Sequence, residues 1–254
     1  MNSSSNLMNF PRVMFVISVV MLWAATNLGG YYGRRTRPLK DDEREDLNVV
    51  LTSTLTLLGL IIGFTFSMAI SRYDLRKNYE EAEANAIGTE YVRADLLPSA
   101  NAEKVKGLLK TYLQQRIAYY EEWDDRKVQD IDRQTMQTQN QMWSAVQSVA
   151  TVQPTPVTAL AVSGMNDVLN SQGYTQAAWW NRIPGAAWML MAIIAISCCV
   201  MMGYLAHQKK ATLFLILPFV LSTAFFLIAD IDSPRHGLIT VLPQNLISLA
   251  DSMK

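Results

Sequence analysis

The sequence predicts an all-α membrane protein with four transmembrane helices and a helical polar domain between helices 2 and 3. Two observations carry that expectation. Half of the 254 residues are hydrophobic and only 17% are charged. The apolar residues gather in four long blocks, and the charges fall almost wholly between them. Net charge is zero and no sustained basic run occurs, which argues against a nucleic-acid partner.

The first block, Val13 to Leu28, is uncharged and extends through Met8 to Phe10 and Gly29 to Tyr32. A signal peptide is the rival, with Arg12 before the run and Ala24-Ala25 as small residues. The run is longer than a usual signal core, which favours a retained span. The second block, Leu47 to Ile70, is long enough to cross ~30 Å of hydrocarbon. The third covers Ala186 to Ala206, with Trp179, Trp180 and Trp188 at its start as interfacial aromatics. The fourth covers Ala211 to Ala229 and contains Pro218, which neighbouring helices must accommodate. Only His207 to Lys210 joins the last two, so they form a tight hairpin. The expected division is 1–70 for spans one and two, 71–182 for the polar domain, 183–232 for the hairpin and 233–254 for a C-terminal tail.

Four spans put both termini on one face, together with the polar domain. Basic residues near span ends do not orient the chain. Arg34, Arg35, Arg37, Lys40, Arg44, Lys209 and Lys210 on one face balance Arg12, Arg72, Arg76, Lys77, Arg182, Arg235 and Lys254 on the other.

No proline or glycine interrupts the chain between Phe64 and Ile87, so span two is expected to extend out of the membrane as a long helix, to about Leu97 before Pro98. Met68, Leu75, Tyr79, Ala82 and Ala86 recur on it as a coiled-coil-like stripe. A helix over about 102–122 places Val105, Leu108, Leu109, Tyr112, Leu113 and Ile117 on one face. A Gln-rich helix is expected over 130–150 and a last one over 157–170, with Leu160, Ala161, Met165, Val168 and Leu169, after a turn at Pro154 and Pro156.

Catalytic signatures are absent from the sequence: it has no phosphate loop, no metal-ligand spacing, no nucleophile motif and only two histidines. Neither a cofactor nor a metal is expected. The adjacent Cys198 and Cys199 sit in an apolar block and read as packing residues. The carboxylates around Glu80, Glu81 and Glu83 and from Glu121 to Asp125 read as solvated helix faces.

Span two is the informative element. Asn48, Thr52, Thr56, Gly59, Gly63, Ser67 and Ser71 recur every three or four residues along one face. Close helix packing is the simpler account, because small residues let backbones approach. A hydrated, ion-lining face is the other. The two agree if the stripe faces a symmetry axis. At the end of span four, Asp230 and Asp232 follow an apolar run and need a partner or water. Pairing with Arg72 or Arg76 would anchor span four to span two. A hard-cation site is the rival, though two carboxylates are few for calcium.

These residues carry a family resemblance. Leu57-Leu58-Gly59-Leu60-Ile61-Ile62-Gly63-Phe64-Thr65-Phe66-Ser67, Arg72-Tyr73, Glu83-Ala84-Asn85-Ala86-Ile87-Gly88-Thr89, Tyr91 and Arg93-Ala94-Asp95-Leu96-Leu97-Pro98 form one set. Leu109, Tyr112, Arg116 and the Asp-x-Asp-x-Pro-Arg-x-Gly stretch from Asp230 to Gly237 complete it. The sequence resembles the bacterial bestrophin-like domain family from about Asn48 to Leu246. Bestrophins proper are four-span homopentameric anion channels with a pore lined by the second span and termini in the cytosol. Their aromatic and isoleucine neck and long acidic calcium clasp have no close counterpart here. The resemblance implies a passive channel for inorganic ions in the bacterial inner membrane, with polar domain and termini cytoplasmic. It also implies Asn48, Thr52, Thr56, Gly59, Gly63 and Ser67 along the axis. Arg72, Arg76 and Lys77 at the mouth would attract anions, and Glu80, Glu81 and Glu83 beyond them cations. A non-conducting scaffold or sensor, with a partner on the polar helices, is the second expectation. A membrane enzyme is the weakest, for want of a convergent polar pocket.

Overall fold

Capping chemistry sets where the helices of this protein begin. The computed structural model describes residues 10–36, 39–206 and 213–254. The expected turn His207 to Lys210, Met8 and Arg37 lie outside the described residues. The helices are α1 Pro11–Arg35, α2 Asp41–Arg93, α3 Ser99–Glu121, α4 Asp125–Val152, α5 Pro156–Trp180, α6 Gly185–Leu205, α7 Leu213–Asp232 and α8 Gln244–Ser252. Prolines precede or open α1, α3, α5, α6 and α8, where a missing N–H is harmless. Asp41, Asp42 and Glu43 crowd the first turn of α2, favourable at the positive end of the helix dipole. Asp124 caps α4 by accepting from Arg126 N at 2.8 Å, and Thr155 caps α5 by accepting from Thr158 N at 3.1 Å.

Four helical segments are long and apolar enough to cross a membrane, in α1, α2, α6 and α7. No strand occurs among the described residues. α2 runs unbroken for 53 residues and ends in a 3₁₀ turn, Ala94–Leu96, before Pro98. At about 1.5 Å per residue its length is about 80 Å, far more than a bilayer's hydrocarbon requires.

The chain divides into two compact units. The first comprises Met1–Arg72 and Arg182–Thr240. In it, α1 packs on α6 and α7. Glycines set the α1–α6 contact. A Cβ at Gly29 would lie 2.1 Å from the Val200 carbonyl oxygen, and one at Gly203 would lie 2.0 Å from the Thr26 carbonyl oxygen. The backbones therefore touch where no side chain fits. Phe15 meets Phe219 and Phe226 edge-on at 5.9 and 5.8 Å, tying α1 to α7.

The second unit comprises Tyr73–Asn181 and Val241–Lys254. α3 packs on α4, α4 on α5, and α8 on α3. Its core takes Val105, Leu109, Tyr112 and Leu113 from α3, Met142 and Val146 from α4, and Ala161, Met165 and Val168 from α5. α5 runs ten residues beyond the expected end at Asn170. Residues 241–254, set apart in the sequence as part of a tail, contain α8 and bury Leu246 in this core.

One expectation reverses. The apolar stripe is not the most deeply buried face of α2: Met68, Leu75 and Ala82 are exposed, while Tyr79 and Ala86 are half-buried. Arg76, Glu80, Glu83, Ala84, Ile87 and Glu90 are buried instead. The glutamates read as a solvated face thus include two core residues, Glu80 and Glu83, and only Glu81 of the first cluster is exposed.

The glycine contacts give a paired prediction. Gly203→Ala must push α6 off α1 and should cost about 1–3 kcal/mol by overpacking. Gly107→Ala, exposed in α3 with nothing within 4 Å of its Cβ, should gain about 0.5–1 kcal/mol from helix propensity. Melting curves of both variants in detergent check the opposite signs.

Candidate functional site

One hydroxyl of the stripe on α2 is satisfied locally. Thr56 Oγ1 donates to the Thr52 carbonyl at 2.9 Å, one turn back. That leaves the hydroxyl's lone pairs pointing outward on a face that can meet water without a backbone break. Asn48, Thr52, Thr56, Gly59, Gly63, Ser67 and Ser71 are all exposed in the chain. A Cβ at Gly59 or Gly63 would meet no atom within 4 Å. Among the described residues no helix of the same unit covers the stripe, unlike the glycines of α1 and α6. The apolar window of α2 is 11% buried, against 50% for that of α7, so most of α2's membrane segment awaits other contacts. Leu57, Leu60 and Phe64 flank the stripe, also exposed.

The charges expected at the mouth are placed differently from one another. Arg72 lies with Nη1 3.7 Å from Asp232 Oδ1. Arg182 approaches the same carboxylate at 3.5 Å, and Ile183 N donates to it at 3.2–3.3 Å. Two guanidinium groups from different parts of the first unit share one carboxylate at 5% side-chain exposure. Arg76 is 1% exposed. Glu83 is fully buried and does not reach solvent. Its placement departs from the mouth position for a physical reason: Arg116, also fully buried, requires a counter-charge.

Glu83 is the hub of a buried network. Arg116 Nε donates to Oε1 at 2.5 Å and Nη2 to Oε2 at 3.4 Å. Thr175 donates to Oε2 at 3.1 Å, and the Tyr112 hydroxyl lies 3.4 Å from Oε1. The Arg116 guanidinium also stands 4.5 Å from the Tyr119 ring centre. Burial pulls the Arg116 pKa down, but Glu83 together with Tyr112 and Tyr120 outweighs it and the net shift is upward. Burial, and then the charge of Glu83, pushes the Tyr112 hydroxyl up, so it stays a donor. Glu80 has another task. Its carboxylate accepts from Asn245 N at 2.9 Å, Leu246 N at 3.0 Å and Asn245 Nδ2 at 2.6 Å, capping the N-terminus of α8.

The Asp-x-Asp-x-Pro-Arg-x-Gly stretch folds as a turn. Asp230 accepts from Leu238 N at 2.7 Å and Ile239 N at 2.9 Å. Gly237 passes so close that its Cβ would lie 2.4 Å from the Asp230 carbonyl oxygen. Asp230 therefore closes the turn while Asp232 meets the arginines. Each faces N–H donors, which a cation would have to displace, and no cluster of three or more metal-ligating side chains occurs among the described residues. Cys198 and Cys199 are buried and unlinked.

Sequence reasoning missed Glu80, Glu83 and Glu90 as core residues and Gly29 and Gly203 as contact points. The Gly29-x-x-x-Gly33 spacing was a readable signal for the glycines. For the glutamates, only their three- and four-residue spacing with Ile87 hinted at one face.

Two substitutions test these assignments by thermal melting. Glu83→Ala leaves Arg116 buried without its partner and should destabilise the protein by about 3–5 kcal/mol; a loss near zero would mean Arg116 reaches water. Asp232→Asn should also lower the melting temperature. Combined with Arg72→Gln it should show a coupling of about 0.5–3 kcal/mol in a double-mutant cycle, and strict additivity would mean the two do not interact.

The comparisons with known proteins fit this architecture. Curated proteins give no match. Solved structures do. A bacterial bestrophin homologue from Klebsiella pneumoniae superposes with a TM-score of 0.63 at 12% identity, over 94% of this chain and 94% of that one. A point variant of that homologue gives 0.61 at 12% identity, over 96% and 93%. A point variant of a protein described as a membrane protein gives 0.62 at 11% identity, over 94% and 97%. At such identities the likeness is one of fold. The family model for the Bestrophin-like domain matches residues 18–246, nearly the whole chain, and the chain belongs to that family.

Proposed function

We propose that this protein is a homo-oligomeric, passive ion channel whose permeation path is lined by the stripe of α2. The uncovered face at Gly59 and Gly63 carries the reading. Hydroxyl and backbone groups on a membrane helix are costly against lipid and cheap against water or protein. A second copy related by an axis along α2 would give them both. Family membership favours a channel, and the bestrophin likeness favours anions, a pentamer and the bacterial inner membrane, with polar domain and termini on the cytoplasmic side. Arg72 and Arg182 near the end of the stripe suit an anion's approach.

A non-conducting scaffold or sensor is the second reading. It draws on exposed apolar residues of the polar domain, among them Val92, Trp123 and Val152, which a partner would cover.

Halide flux into liposomes separates the two. Wild-type oligomer should pass halide. Thr56→Trp, which puts an indole onto the stripe, should cut flux at least tenfold while the oligomer elutes unchanged. Flux that survives Thr56→Trp would move the path away from α2. Folded wild-type oligomer with no halide or cation flux would favour the scaffold.

A further inference from the structure

Glu90 differs from the other glutamates on the buried face of α2. It lies well outside the apolar segment, about 30 Å along the helix axis beyond Ile70. Its side chain is 0% exposed, and neither carboxylate oxygen has a hydrogen-bond partner. Glu80 and Glu83, by contrast, each accept at least three hydrogen bonds.

Room for the Glu90 carboxyl comes from α5. A Cβ at Gly164 would lie 2.0 Å from Glu90 Oε2 and 2.6 Å from Arg93 Nη1. Gly164 therefore leaves a notch that the carboxyl fills. Two charged groups face it, Arg93 from its own helix and Asp167 from α5. An ionised carboxyl there would be a buried charge without a hydrogen bond, which proteins relieve by taking up a proton.

We propose that Glu90 is a proton-binding site, neutral while α2 packs on α5 at Gly164, and that its ionisation loosens this contact. Its titration agrees with the geometry. Burial pushes the carboxyl up, Arg93 pulls it part of the way back, Asp167 adds to the rise, and the balance is about 8 against an ordinary 4.5. Between those values the folded chain holds a proton that the unfolded chain has lost. The group's stabilisation is full below pH 4.5, declines as pH rises through the window and is gone above about 8. Proton release would thus free part of the polar domain from α2 in mild alkali. The inference rests on the packing alone and holds whether or not the protein conducts.

The test compares purified full-length wild type with Glu90→Gln, which keeps the shape and cannot ionise. In melting curves from about pH 5 to about pH 8.5, the wild type should match the variant at the acid end and fall several degrees below it at the alkaline end. Parallel curves would overturn the proposal. Infrared spectroscopy of the wild type reads the same group without depending on the variant's folding. A protonated-carboxyl stretch at pH 6.5 that fades as pH passes through about 8 is the expected result. Its absence at pH 6.5 would mean that Glu90 is ionised beside Arg93, and the proposal would fail.

Discussion

Buried glutamates on one face of α2 hold the polar domain to that helix, and much of the second unit is arranged around them. Glu80 receives the first turn of α8. Glu83 receives Arg116 from α3 and Thr175 from α5. Glu90 fills the notch at Gly164 of α5. Three elements separated by up to about half of the chain are thus tied to one short stretch of a single helix. Apolar contacts through Ala84 and Ile87 add burial between these points. Glu80 and Glu83 decide which residue of each partner sits where, since a hydrogen-bonded charge tolerates less displacement than a methyl group.

This arrangement explains why the spans were legible in the sequence and the polar domain's interior was not. A membrane segment announces itself locally: Leu47 to Ile70 is apolar for its whole length, and no distant residue is needed to recognise it. The apolar faces of α3 and α5 were legible for the same reason, through Val105, Leu109, Tyr112, Met165 and Val168. Glu83 could not be read that way. Its partners lie 33 and 92 residues away, and nothing in the local spacing distinguishes a carboxylate with a buried arginine from one in water. The same holds for Glu80, whose partner helix is 165 residues on. A nine-residue helix such as α8 is too short to declare itself by periodicity. The pairing of Asp232 with Arg72 was reachable from topology, because the ends of spans two and four must share a face. The separate use of Asp230 as a turn closure required the backbone N–H groups of Leu238 and Ile239.

Two sets of small residues in the first unit have opposite fates, and the contrast bears on function. Gly29 and Gly203 are consumed by contact between α1 and α6, at distances that admit no Cβ. Gly59 and Gly63 have the same chemistry and open space around them. No described residue of this unit packs against the second pair, and the proposed channel places it along the permeation path. Exposed Leu57, Leu60 and Phe64 beside the stripe suit contact with lipid or a neighbouring copy, while the hydroxyls of Thr52 and Thr56 suit water. That pair of adjacent faces is what the proposed channel would require of α2.

A long helix has a problem of register that apolar contacts alone do not solve. Slid by one turn, about 5.4 Å, the helix would offer its neighbours a face of similar size and could remake part of its apolar burial. The charges forbid this. The slide would take Glu83 off Arg116, leaving a buried guanidinium without its counter-charge at a cost of about 3–5 kcal/mol. It would also take Glu90 out of the Gly164 notch. Buried ion pairs contribute little net stability compared with well-packed apolar side chains. Their value here is that they make one register far better than its neighbours, so that 53 residues of helix meet α3, α5 and α8 in a single way.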